Sequence, residues 1–324
     1  IHYKPEINNE NSISDSDIRN IYEDKQGNIW ISTNTAGLNR FDPKTKKFTR
    51  FRHSATNKNT ISNDSVYDIA QTSGGSYWVG TDIGLNRLNT LDNTFKHYYF
   101  DKQDPTTLSN DYVYNLYIDD NDTLWATTVG GGINQQIENT DKFIRHRISD
   151  ITGDSFHDEV FAIKKAEGGG FWLGTRRGLI KYKPETREVT IVNIGDDETQ
   201  PGVVTLAKTD NNKLLVGTMD RGVLVYDKKH NRYLPFNSSP LGSAGQLPAL
   251  PVLALYHHNN KLFVGTWGGG VYVASLEQLP FEVLGNGGDG SRLDNQNVTA
   301  LYTDGHHQIA GTFGGGAQKI AVDS

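Results

Sequence analysis

The sequence predicts an all-β protein, a seven-bladed β-propeller of four-stranded antiparallel blades, on three observations. A short motif ending in threonine recurs seven times at spacings of 43 to 48 residues. Each copy is flanked by short apolar strands separated by Asp, Asn and Gly turns, with no sustained 3.6-residue apolar period. The first residues of the chain align with the outer part of a repeat whose inner part stands at the other end. A period in this range fits a four-stranded propeller blade and is too long for ankyrin or leucine-rich repeats.

The anchors are Trp30-Ile-Ser-Thr33, Trp78-Val-Gly-Thr81, Trp125-Ala-Thr-Thr128, Trp172-Leu-Gly-Thr175, Leu215-Val-Gly-Thr218, Phe263-Val-Gly-Thr266 and Ile309-Ala-Gly-Thr312. They read as second strands. Upstream of each lies a first strand, beginning at Ile18, Val66, Val113, Val160, Val203, Val252 and Val298. Turns such as "EDKQGN" join the two and supply the left-handed conformations of tight hairpins. A glycine turn and a third strand follow, as in "GLNRFD" and "GVLVYD", and fourth strands open near Phe48, Phe95, Phe143, Val189, Tyr233 and Phe281. Large anchor rings fill the space between blades, glycine lets sheets approach closely, and threonine suits the pleat. The tryptophans are therefore core residues.

Only six fourth strands match seven anchors. "IHYKPEINNENSISDSDI" aligns with "RFRHSATNKNTISNDSV", putting Tyr3 on Phe51, Ile13 on Ile61 and Ile18 on Val66, and Tyr98, Leu108 and Val113 repeat the spacing. Ile1 to Lys4 is thus an orphan outer strand, expected to complete the last blade and close the ring. Residues 1–324 then form a single propeller.

Composition narrows the function classes. The 324 residues include 34 glycines, 10 prolines and no cysteine, enough for a large core without disulfides. A net charge of −6 with no basic cluster argues against a nucleic-acid partner. No apolar run approaches the ~20 residues of a membrane span, and no signal segment opens the chain. With Ile1 first and Met219 its only methionine, the chain reads as a processed protein or an excised piece.

The stretch "IRNIYEDKQGNIWISTNTAGLNRFD" closely resembles the two-component regulator propeller repeat, and "VYDIAQTSGGSYWVGTDIGLNRLN", "VYNLYIDDNDTLWATTVGGGINQQ" and "VFAIKKAEGGGFWLGTRRGLIKYK" carry it again. The last three copies replace tryptophan but keep the Gly-Thr core. The resemblance implies a periplasmic sensor region of a bacterial hybrid histidine kinase or a propeller-containing diguanylate cyclase, in signal transduction often tied to carbohydrate sensing. It implies that the propeller itself is no enzyme, that the kinase or cyclase output domain lies outside this chain, and that relatives carry further repeats, a second propeller and a small β-sandwich. Adjoining sensor and signalling domains are the implied protein partners, with room for a homodimer of the full-length protein. The family has no shared catalytic motif, so site residues come from geometry.

In a four-stranded blade, the second-to-third loop and the loop between blades open on one face. Here the second-to-third loops vary most, reading "NTAG", "DIG", "VGGG", "RRG", "MDRG", "WGGG" and "FGGG". Variable loops on a constant frame suit a binding surface. Arg176, Arg177, Asp220, Arg221, Trp267 and Phe313 are expected around the channel mouth, with Asn34 and Asp82 completing the circuit and Tyr112 and His157 reaching it from before their first strands. Charged groups beside aromatic platforms suit an oligosaccharide or related solute.

Catalytic signals are weaker. His257-His258 and His306-His307 look like metal-ligand pairs but read as solvated hairpin turns. "GNGGDG" (285–290) lacks a strand-to-helix context, and "DDND" (119–122) lacks the glutamate of a calcium loop. No metal and no cofactor are expected. A propeller glycoside hydrolase or lyase would need a paired acid and base, and Asp82 and Asp220 stand three blades apart. A third reading is an interaction scaffold, docking through the long loops "NKNTISND", "DPTTLSND" and "NSSPLGSAGQLPALP".

Overall fold

The computed structural model describes residues 2–192, 200–210, 212–236, 249–258, 261–275, 282–284, 293–303 and 308–320. They form seven four-stranded antiparallel sheets. Blades 1 to 6 run in chain order over 18–51, 66–98, 113–146, 160–192, 203–235 and 252–284. Blade 7 joins Val298–Thr303, Gln308–Thr312 and Gly316–Ile320 to His2–Tyr3, with His2 opposite Gln318 and Tyr3 opposite Ala317. The expected outer strand is present and closes the ring. Each first strand lies against the first strand of the next blade, blade 7 against blade 1 included, so the seven first strands surround a central channel.

The anchors pack between blades. Trp30 shares a core cluster with Ile69, Tyr77 and Val79 of blade 2. Trp78 does so with Leu116 and Leu124 of blade 3, and Trp125 with Ile163 and Phe171 of blade 4. Trp172, Leu215, Phe263 and Ile309 continue the series, the last against blade 1. In the first hairpin, Asp24 accepts hydrogen bonds from Trp30 Nε1 and from Tyr77 of the next blade, both at 2.8 Å. The tryptophan is thereby tied at its polar edge as well as packed on its face.

Glycine and threonine have sharper duties than the pattern suggested. A Cβ at Gly80 would meet both Cγ1 and the carbonyl oxygen of Val113 at 2.9 Å, and at Gly174, Gly217 and Gly265 it would come within 2.7 to 2.8 Å of the next blade's first valine. At Gly311 it would come within 2.5 Å of Ile18. Each threonine at the end of the second strand, from Thr33 to Thr312, is fully buried and donates its hydroxyl to the glycine carbonyl that opens the third strand, at 2.7 to 3.1 Å. Closing this turn, more than β-propensity, is what selects threonine.

The long loops 57–64 and 104–111 do not project as docking arms. Ile61 and Leu108 are fully buried, as is Ile13 in the matching connection. Ser14, Ser62 and Ser109 each donate a backbone hydrogen bond to a buried asparagine, Asn39, Asn86 and Asn134, at 2.8 to 2.9 Å. These segments fold back as staples. Residues 237–248 of the third long loop, Phe281, "GNGGDG" and His306-His307 lie outside the described residues. His257 and His258 belong to the first strand of blade 6, not to a solvated turn, and the side chain of His257 is buried 3.5 Å from Asp210.

Among the described residues, the all-β pattern has one interruption. Between blades 3 and 4, Ser149–Thr152 forms a helical turn and Ser155–Asp158 a 3-10 turn capped by Asp154, which accepts from Phe156 N. The buried Asp158 carboxylate gathers Ile148 N, Ser149 N and the Ser149 hydroxyl around itself.

Gly80→Ala is expected to cost about 1–3 kcal/mol through crowding against Val113. Thr81→Val, which keeps shape and removes the buried donor to Gly84, should cost about 1–2 kcal/mol. Urea unfolding midpoints with unchanged slopes would register both; a neutral Gly80→Ala would show that the blade contact is not limiting.

Candidate functional site

The channel is built in layers set by the first strands. The second residue of each strand supplies an upper layer of Arg19, Tyr67, Tyr114, Phe161, Val204, Leu253 and Thr299, and all of them line one cavity of about 280 Å³. The next layer holds Asn20, Asp68, Asn115, Ala162, Thr205, Ala254 and Ala300. Trp267 stands at the mouth and Lys164, further along its strand, lines the deep end.

Blades 1 to 3 carry the polar wall. Arg19 donates to Asn34 Oδ1 from Nε at 3.1 Å and Nη2 at 2.5 Å, and its guanidinium lies 5.0 Å from the centre of the Tyr67 ring. Tyr112 donates to Tyr67 at 2.8 Å, and the rings of Tyr67, Tyr112 and Tyr114 stand 5.0 to 6.2 Å apart. Burial raises the phenol pKa of Tyr112 and of Tyr114, so both remain neutral donors. Asp17, above Arg19, has its carboxyl pKa raised, first by burial and then by Asp15.

Asp68 is the centre of the second layer. It accepts from Ile69 N and Leu116 N, both at 2.8 Å, from Asn115 Nδ2 at 2.5 Å and from Asn20 Nδ2, joining three blades. Burial pushes its carboxyl up to about 6 against these four donors.

Of the residues expected at the mouth, the structure brings several together. Trp267, 41% exposed, and Phe313 form a pair with centroids 5.3 Å apart. Asn34 and Tyr112 join the Arg19 and Tyr67 cluster, and Asp82 is half-buried near Tyr112 with its backbone N–H on Ser65 O at 3.2 Å. Others stand apart from the cavity. Arg176 pairs with Glu159 at 3.2 Å and lies 5.0 Å over Phe156, while Arg177 pairs with Asp154 at 3.2 Å, so both brace the blade 3 to 4 connection. His157 is buried, its Nδ1 2.8 Å from Thr152 Oγ1, and burial lowers its imidazole pKa. Asp220 and Arg221 form the blade 5 tip and do not line the cavity.

Sequence reasoning concentrated on loops and missed Arg19, Tyr67, Asp68, Tyr114 and Lys164. A signal was present: the second and third residues of "IRNI", "VYDI" and "VYNL" are polar or aromatic where later blades have "VVTL", "VLAL" and "VTAL".

Residues 12–35 match the family model described as "Two component regulator propeller". This stretch is similar to a two component regulator propeller repeat. It covers the connection into blade 1 and the first two strands of that blade, and the other blades reproduce its strand order. No curated protein matches the chain by sequence. Among solved structures, the extracellular domain assigned to a hybrid two component system of B. thetaiotaomicron is similar at 21% identity and TM-score 0.81, over 99% of this chain and 42% of that one. A second B. thetaiotaomicron extracellular domain, assigned to a one component system, is similar at 20% identity and TM-score 0.72, over 94% of this chain and 40% of that one. The propeller therefore spans well under half the length of those two domains. Virginiamycin B lyase from Staphylococcus aureus shares the fold at 12% identity and TM-score 0.73, over 100% of this chain and 98% of that one. Among the described residues, no helix is long and apolar enough to cross a membrane.

The folded Asp68 carboxyl binds its proton more tightly than the ordinary value of 3.8 allows. Its contribution thus favours folding below that pH and is lost as pH rises through about 6. Asp68→Asn removes this term and leaves two amide donors without acceptors. The melting temperature of the variant should lie below wild type, with the gap narrowing from roughly pH 4 to 7; a constant gap would sink the assignment.

Proposed function

We propose that this propeller is the extracytoplasmic, periplasmic ligand-sensing part of a bacterial signal-transduction protein and that it takes the end of an oligosaccharide at the channel mouth. The observation that carries the reading is the mouth itself: Trp267, ring-paired with Phe313, lines one cavity with Tyr67, Tyr114 and Arg19, which is hydrogen-bonded to Asn34. Sugar C–H faces stack on such rings, and hydroxyls exchange hydrogen bonds with phenol, amide and guanidinium groups. The repeat of residues 12–35 and the fold shared with two extracellular sensor domains support this reading. Signalling follows if the ligand has different affinities for two arrangements of the ring and the domains attached to it, since only differential binding shifts a population. The kinase or cyclase, and any homodimer, belong to the longer protein.

A lyase or hydrolase reading draws on one observation, the channel carboxyl of Asp68 with a pKa near neutrality. All four of its hydrogen bonds come from structural donors, which leaves it a poor proton shuttle. An interaction scaffold is weakened by the inward folding of loops 57–64 and 104–111.

A thermal-shift screen against neutral and acidic oligosaccharides tests the proposal, because a ligand of the folded state raises the melting temperature. Trp267→Ala should abolish the shift and weaken binding by tenfold or more, about 1.4 kcal/mol or above. An identical shift in wild type and variant would move the site elsewhere.

A further inference from the structure

Lys164 is the unexplained charge of this fold. It lines the deep end of the channel cavity, and its side chain makes no hydrogen bond or ion pair with any described residue. The charged groups that act on it are Asp68, which attracts, and Lys208, which repels. Asp68 cannot serve as its partner, because both carboxylate oxygens are occupied by Asn20, Asn115 and two backbone donors, and no ion pair joins the two side chains. Lys164 is exposed to the solvent of the channel, and the protein around it lowers its ammonium pKa, with Lys208 acting in the same direction.

A lysine that is solvent-exposed within the channel and paired with no carboxylate leaves its charge available to a ligand. The first strands of blades 5, 6 and 7 carry no charge there: Ala207, buried in the core, occupies the equivalent position of blade 5, and Tyr256 and Tyr302 those of blades 6 and 7. The second cation of the cavity points the same way. Arg19 is held by the neutral Asn34 and the Tyr67 ring, not by a carboxylate within ion-pair distance. Two cations without carboxylate partners, at the mouth and at the floor, face one carboxylate that is already saturated. Between them lie Phe161, Val204 and Leu253, an apolar wall against which a flat ring can pack. Local rules of this kind are broken mostly where function requires it.

We propose that the channel is an anion subsite, in which an oxyanion end group of the ligand, a carboxylate or a sulfate ester, enters past Trp267 and Arg19 and is held by Lys164. This rests on the reading of the mouth as a sugar site and narrows it to acidic sugars. The cavity of about 280 Å³ has room for one terminal ring, which leaves the remaining rings to the mouth.

Isothermal titration with two matched pairs tests the proposal. Trigalacturonate is set against its methyl ester for carboxylate, and galactose 6-sulfate against galactose for sulfate. At least one charged member should bind about tenfold more tightly than its neutral partner, the scale of a close charge pair. Lys164→Gln should erase that preference without lowering the melting temperature, while Lys164→Arg should retain it. A preference that survives Lys164→Gln, the absence of any preference, or no binding of either charged probe would overturn the proposal. Trp267→Ala separates the two readings. Neutral probes that bind in a Trp267-dependent way without charge preference leave the mouth standing and remove the channel subsite. A charge preference that depends on Lys164 and ignores Trp267 does the reverse.

Discussion

Close approach of neighbouring blades is the constraint on which the rest of this structure depends. The second-strand glycine of one blade packs on the first branched residue of the next, from Gly80 against Val113 to Gly311 against Ile18. No side chain fits between them. That contact, made by glycine in five of the seven blades, sets the distance between inner strands and with it the width of the channel. Blades 1 and 3 meet the same demand with Ser32 and Thr127, and the Thr127 hydroxyl oxygen accepts from Asn115 N at 3.0 Å. The anchors then fill the widening wedge further out, where tryptophan suits the larger gaps and Leu215, Phe263 and Ile309 the remaining ones.

A backbone so regular leaves asymmetry to the side chains that face the axis. Blades 1 to 3 turn arginine, tyrosine, asparagine and aspartate toward the channel, whereas blades 5 to 7 offer chiefly small and aliphatic residues there. The two halves therefore differ in kind. One half is a wall spanning three blades, hydrogen-bonded through Asp68 and packed through its tyrosine rings. The other is a largely aliphatic surface, and Lys164 of blade 4 stands between the two. A ligand with a flat apolar face and a polar edge matches such a division better than one that is uniform.

The ring, its blade number and its closing strand were legible because each is a periodic property. Valine or isoleucine at the start of the first strand, Gly-Thr at the end of the second and the staple pattern shared by Ile13, Ile61 and Leu108 all recur, and recurrence is visible without coordinates. The site was legible only in part because it is defined by departures from the repeat. Trp267, Phe313, Asn34 and Tyr112 stood out through their chemistry. Arg19, Tyr67 and Lys164 sit inside apolar strand patterns, where alternation alone does not say which face borders the channel, and the bulge after the first residue of these strands shifts that alternation. Arg176 and Arg177 were drawn away by the short helical connection and the residue after it, through Phe156, Glu159 and Asp154, and His157 belongs to that connection, where Thr152 holds it. No periodicity announces an insertion that occurs once.

The pairing of His2 and Tyr3 with Gln318 and Ala317 alters the thermodynamics of the whole array. In an open stack of repeats, stability is a sum of local terms, and a terminal unit can fray or be lost while the others persist. Here the two ends of the array share one sheet, and Tyr3 also packs on Phe41 and Phe48 of blade 1. There is no terminal unit to fray first. The seven blades thus behave as one cooperative body, in which a disturbance at any seam reaches every other through a closed circuit and a perturbation at the mouth is shared by the whole ring.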